Sequence, residues 1–156
     1  MTDEEYMQLG VDEARKTMLD NIGGPFGAVI VKGDEVVAVS SNHVLGKKDP
    51  TAHAEIEAIR EACKKLDTYD LSGCELYATG YPCPMCLSAI IWANIKKVYV
   101  SGLPLDAEQI GFRDAHIYEF IENDCKDKQV LDIERLSRKP AKLLYAEYAD
   151  FNKVIY

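Results

Sequence analysis

The sequence predicts an α/β fold, a three-layer α/β/α arrangement around a mixed sheet, on three observations. Segments with apolar residues at helical spacing alternate along the chain with short β-branched runs. The first two of those runs are joined through Gly33-Asp34, a hairpin signal that makes the strands antiparallel. The later strands are separated by helices, and such crossovers bring parallel pairing. A sheet with helices both before and between its strands is covered on its two faces.

The elements follow in order. Met7, Val11, Ala14 and Met18 recur at helical spacing and predict an amphipathic helix over 3–20. NIGGPFG (21–27) is a glycine-rich turn. AVIV (28–31) and VVAVS (36–40) are the two hairpin strands. Ala58, Ile59, Ala62, Cys63 and Leu66 form the stripe of a helix from about 53 to 66. CELYAT (74–79) reads as a strand. PMCLSAIIWANI (84–95) is too uniformly apolar for an exposed helix and is expected to be a buried one. KKVYVSG (96–102) is the next strand. Beyond 103 the pattern loosens, and Leu144, Tyr148, Phe151 and Ile155 suggest a C-terminal helix. There is no repeat, low-complexity tract or linker, and the 156 residues fit a single domain, 1–156.

Composition narrows the function. The chain is 47% hydrophobic and 28% charged, as in soluble globular proteins. No secretory or transit peptide is visible at the acidic start, and no apolar run approaches the roughly 18 residues of a membrane span, so no membrane partner is expected. Five cysteines, an odd number, fit thiols kept reduced in a cytoplasmic protein better than a disulfide framework. The formal charge of −8 argues against nucleic acid and for a small-molecule substrate.

The chemistry gathers in a few side chains. Cys83 and Cys86 are spaced C-x-x-C, with Pro84 suited to the first position of a helix. Cys83 then stands at a helix N-terminus, which favours its thiolate. His53 opens the preceding helix, and helix N-termini that follow strands gather at one end of the sheet. Two thiolates and an imidazole make a zinc set that leaves the fourth position for water. Glu55 stands two residues beyond His53. Deep in a helix the two would point apart; at a helix mouth both can face a crevice beyond the end. Glu55 is therefore the expected general base. Zinc lowers the pKa of water toward roughly 7 in favourable sites, less where two thiolates offset its charge, so a nearby base is needed.

His53-Ala54-Glu55 followed by Pro82-Cys83-Pro84-Met85-Cys86 matches the H-x-E…P-C-x-x-C signature of zinc nucleobase deaminases. GGPFGAVIV, DPTAHAEIEAIR, PCPMCLSAI and GFRDAHIY extend the likeness along the chain, which resembles the bacterial guanine deaminase branch of the cytidine deaminase-like superfamily. The resemblance implies hydrolysis of guanine to xanthine and ammonia, one Zn2+ per chain, a five-stranded core sheet, and a homodimer that exchanges C-terminal segments. It implies that Asn42 binds the purine edge and that Phe26 and Trp92 form an apolar pocket, with Ala54 in the same substrate-binding set. Asp114 would assist proton transfer at the amine as a second catalytic group, and Tyr156 would close the partner's pocket. One string departs from the family. Its Cys-Glu-Pro-Cys is here Gly80-Tyr81-Pro82-Cys83. No ligand changes, but the loop forms pocket wall, so guanosine or another aminated heterocycle is an alternative substrate.

Other readings stand beside this one. A structural zinc site would need a fourth protein ligand, and Cys63, Cys74 and Cys125 lack paired spacing. A redox C-x-x-C leaves His53 and Glu55 unexplained. A cytosine or tRNA adenosine deaminase shares the motif, though the tRNA version wants a basic groove. A deaminase-fold binding module would show a damaged catalytic set, and this set is whole. His43 and His116 carry no motif.

Overall fold

The computed structural model describes residues 1–151 and 154–156, and the chain divides into two compact units, Met1–Asp114 and Ala115–Tyr156. The first unit opens with helix α1 (Asp3–Leu19), whose start is held by a capping box between Thr2 and Glu5. A hairpin follows, β1 (Gly27–Lys32) and β2 (Glu35–Ser41), turning at Gly33 with a φ of 60°. Then come α2 (Val44–Lys47), α3 (Ala54–Leu66), β3 (Cys74–Ala78), α4 (Pro84–Trp92), β4 (Lys97–Val100) and α5 (Pro104–Gln109). The second unit holds α6 (Ala115–Glu122) and α7 (Lys139–Phe151). The expected C-terminal helix thus ends at Phe151, short of Ile155, and residues 152–153 lie outside the described residues.

The sheet runs β2-β1-β3-β4, with β1 antiparallel to both neighbours and β3 parallel to β4. Alternation along β1 serves two layers. Ala28 and Ile30 pack with Ala54, Ala58, Ala62, Leu76 and Ile90, the layer of α3 and α4. Val29 and Val31 pack with Tyr6 and Tyr77, the layer of α1. The three-layer mixed α/β class is therefore the observed one. The buried face of α1 is Tyr6, Gly10, Ala14 and Thr17, rotated from the apolar stripe read in the sequence. The reason is close approach: a Cβ on Gly27 would lie 2.0 Å from Gly10 O, so small residues set that contact.

Two expectations are corrected. The sheet has four strands among the described residues, not the five implied by the resemblance. After β4 the chain turns at once into α5, with Leu103 as N-cap and Pro104 in the first turn, and the exposed stretch 131–137 carries no strand. Helix α4 is not buried all round: it ends at Trp92, and Asn94 breaks it with a φ of 64°. Ile91 and Trp92 lie on its exposed side, 69% and 70% accessible. No helix among the described residues is long and apolar enough to cross a membrane.

Candidate active site

One end of the sheet assembles the site. Gly27 pairs with Ser41 and Ala28 with Ala78, so the start of β1 and the ends of β2 and β3 lie side by side. Phe26, Asn42 and the Gly80-Tyr81 loop leave the sheet there. A Cβ on Gly23 would stand 1.9 Å from Asn42 O, so only glycine lets the 21–27 turn close over Asn42.

Two helix mouths face this end. His53 is the N-cap of α3 (φ −67°, ψ 156°) and Cys83 the N-cap of α4 (φ −69°, ψ 170°), and neither side chain caps its own helix. Cys86 follows within the first turn of α4 and is fully buried. His53 Nδ1 lies 3.6 Å from Cys83 Sγ and 3.6 Å from Cys86 Sγ. Zinc bonds of about 2.3 Å to sulfur and about 2.05 Å to nitrogen, opened to a tetrahedral angle, separate N and S by about 3.6 Å. The donor set therefore fits zinc in kind and in spacing. All three ligand atoms lie within 4.8 Å of one another, and among the described residues no other group of three or more His, Cys, Asp or Glu does so. Among the described residues no fourth protein ligand joins them, whereas a purely structural site uses four.

The two thiols differ sharply. The hydrogen bond from Cys86, assisted by one from His53, holds Cys83 down to about 4 against the effect of burial. The same Cys83–Cys86 bond, with burial, pushes Cys86 far above the ordinary thiol range. The bond to Cys83 raises His53, with burial opposing. Glu55, 7% exposed, is raised by burial, with a hydrogen bond from Cys86 opposing. Because His53 is an extended cap and Glu55 is in the first turn of α3, both reach the same cavity.

That cavity measures about 620 Å³. Phe26, Asn42 and Asp114 line it with His53, Glu55 and Cys83. Asn42, 6% exposed, accepts at Oδ1 from Gly24 N (3.3 Å) and Val44 N (3.0 Å). Its remaining polar atom, Nδ2, can only donate. Two expected substrate residues do not line the cavity. Ala54 is wholly buried in the core between helix and sheet, and Trp92 stands on the outer side of α4. Tyr156 belongs to the second unit and is 79% exposed. The residue-level reading missed Phe112, whose ring meets that of Phe26 edge-on at 5.1 Å and 88° on the cavity wall. Its only local signal is Gly111, at a φ of 103°. Tyr81, singled out as a departure, does line the cavity and is 47% exposed.

Comparison with known proteins bears on this geometry. A family model described as the cytidine and deoxycytidylate deaminase zinc-binding region matches residues 1–102. A guanine deaminase of Bacillus subtilis (strain 168) is 44% identical over 130 residues, 83% of this chain and 83% of the relative. A tRNA-specific adenosine deaminase of Aquifex aeolicus is 44% identical over 103 residues, 66% of this chain and 68% of the relative. The crystal structure of guanine deaminase from Bacillus subtilis superposes with a TM-score of 0.92 at 37% identity, covering 100% of this chain and 99% of that one. A guanine deaminase structure from Nitrosomonas europaea gives a TM-score of 0.66 at 34% identity over 70% of this chain and 63% of that one.

Proposed function

The chain belongs to the cytidine and deoxycytidylate deaminase zinc-binding family, a zinc-dependent hydrolytic deaminase by descent, and from that premise we propose that it converts guanine to xanthine and ammonia. The observation that carries the reading is the buried Glu55 beside the His53, Cys83 and Cys86 donor set, in a chain similar to guanine deaminase over its full length. The relatives acting on tRNA match only about two thirds of the chain.

His53, Cys83 and Cys86 are the residues that would hold zinc. When bound, zinc supplies a Lewis acid that makes water a nucleophile near neutral pH. Glu55 takes a proton from the attacking water at its carboxylate. It passes that proton to the ring nitrogen beside the reacting carbon. It then takes the second proton from the hydroxyl now on that carbon and passes it to the amino group, which leaves as ammonia as the carbon–nitrogen bond breaks and the carbonyl forms, with Asp114 assisting at the amine. Burial of Glu55 keeps these transfers from being shared with bulk water. Asn42 donates from Nδ2 to acceptors on the purine edge, since its Oδ1 is already taken by two backbone N–H groups. Phe26 and Phe112 form the apolar wall against the base.

The free cysteines fit a cytoplasmic protein of purine breakdown. A homodimer with exchanged C-terminal segments, placing Tyr156 at the partner's pocket, is supported by α7, which leaves Leu143, Leu144 and Phe151 exposed. Light scattering on the purified protein should then give about twice the 17.5 kDa chain mass; a mass of one chain overturns the exchange.

The test of the activity is ammonia release by the zinc-loaded protein on guanine, guanosine, adenine, adenosine, cytosine and cytidine, beside a tRNA anticodon stem-loop. Turnover of guanine is expected. Turnover of another member without guanine would keep the chemistry and reject the substrate, and bound zinc with no turnover of any would leave only a binding module.

A further inference from the structure

Glu57 lies two residues beyond Glu55 on α3, is 9% exposed, and does not line the cavity. A carboxylate buried to this degree needs partners. Two cations supply them. Lys47, the last residue of α2, donates from Nζ to Glu57 Oε2, and Arg60 Nη1 donates to Glu57 Oε1 at 3.1 Å. Arg60 Nη1 also lies 3.6 Å from Asp49 Oδ2. Asp49 Oδ1 in turn accepts from Thr51 N at 2.8 Å and from Thr51 Oγ1 at 2.7 Å, which sets the turn into His53. One carboxylate is thus tied, directly and through Arg60, to two points of the segment 42–53.

That segment matters because it carries Asn42, Val44, Leu45 and Pro50 of the cavity wall and ends at His53. Its fully buried apolar anchor is Ala52 alone, and α2 buries none of its four residues. Its backbone is held at His43 N to Ala52 O (2.9 Å) and Gly46 N to Ile22 O (2.8 Å). Polar ties therefore decide how firmly the wall stands against α3.

We propose that Glu57 is a positioning residue that clamps the 42–53 wall to α3 through Lys47 and Arg60, and so sets how tightly the cavity accepts its substrate. It touches no substrate itself. The substrate side of this inference rests on the deaminase reading above; the clamp does not. Lys47 and Arg60 are about half exposed, so water can solvate them once Glu57 is neutralised, and the fold should survive.

The test is amide hydrogen exchange on the zinc-loaded protein, with steady-state kinetics on guanine, for wild type, Glu57→Gln, Lys47→Met and the double variant. In both single variants exchange over 43–52 should rise about tenfold, with α1 and the sheet unchanged and zinc content at the wild-type value. KM should rise about three- to tenfold with kcat within about twofold, because the competent wall is populated for less of the time. The double variant should go no further than Glu57→Gln alone, since that substitution already weakens both ties. Unchanged exchange over 43–52, additive effects, or a fall in kcat at constant KM overturns the clamp. Should Glu57→Gln exchange faster throughout the chain, Lys47→Met decides alone. A wild-type protein inactive on guanine counts against the substrate assignment only, since exchange still reads the clamp.

Discussion

Replacing Glu55 with glutamine isolates the proton-transfer role from every other property of the site. Glutamine has nearly the same shape and can occupy the same place at the mouth of α3, but it cannot take up or deliver a proton at neutral pH. General acid–base help is worth about 10²–10⁴ in rate. The upper part of that range applies here for two structural reasons. Glu55 is 7% exposed, so bulk water is poorly placed to substitute for it. It is also assigned proton transfers in both directions, so one substitution removes both. A loss in kcat of about 10³–10⁴ is expected, equivalent to about 4–5 kcal/mol in activation free energy. The fold should be unharmed, because a buried neutral amide is tolerated better than a buried carboxylate. Zinc should stay near one per chain, because the ligand atoms belong to His53, Cys83 and Cys86. Ammonia release from guanine, metal content by mass spectrometry and a thermal melt measure the three quantities. A Glu55→Gln variant that is fully zinc-loaded and turns over within tenfold of wild type refutes the assignment of Glu55 as the proton carrier.

Three further outcomes follow from the same structure. Cys86→Ser removes a fully buried ligand atom and should lower zinc affinity by at least about 100-fold, read by competition with a chromogenic chelator. Tyr81→Ala strips a half-exposed ring from the cavity wall and should raise KM for guanine by about tenfold, the low end of what base–aromatic stacking contributes; unchanged KM would show that the ring plays no part. Leu76→Ala opens a void where β3 meets the α3–α4 layer and should cost about 2–5 kcal/mol in a urea melt.

Much of the architecture was legible because its signals are local. The Gly33-Asp34 turn and the stripe of α3 each announce an element within a few residues. Other features depended on distant packing. The apolar run 84–95 has no period that separates an inward from an outward face, so its exposed side, Ile91 and Trp92, could not be told from its buried one. The buried stripe of α1 was displaced by the close approach of Gly10 to Gly27, a contact between segments far apart in sequence. At the site, the metal donors were legible because few residue types can serve as ligands. The wall was not. Phe112 looks like any core aromatic until it meets Phe26, and Glu57 looks like any solvated helix glutamate until Lys47 and Arg60 close on it.

The two helix mouths show what the chemistry demands of the fold. A helix start chosen for stability would carry Ser, Thr, Asp or Asn at the N-cap, each worth about 0.5–2 kcal/mol over a residue that cannot cap. Helix α1, whose capped start takes no part in the cavity lining, follows this rule with Thr2. Helices α3 and α4 do not: their N-caps are His53 and Cys83, and neither side chain bonds a backbone N–H of its helix. Both caps are extended, which frees their side chains from the helical direction and turns them toward each other across the end of the sheet. The same departure makes His53 and Glu55 converge at a spacing that would keep them apart within a helix. Local stability is given up at two caps, and metal binding, which joins the helix starts through His53, Cys83 and Cys86, is the interaction positioned to restore it.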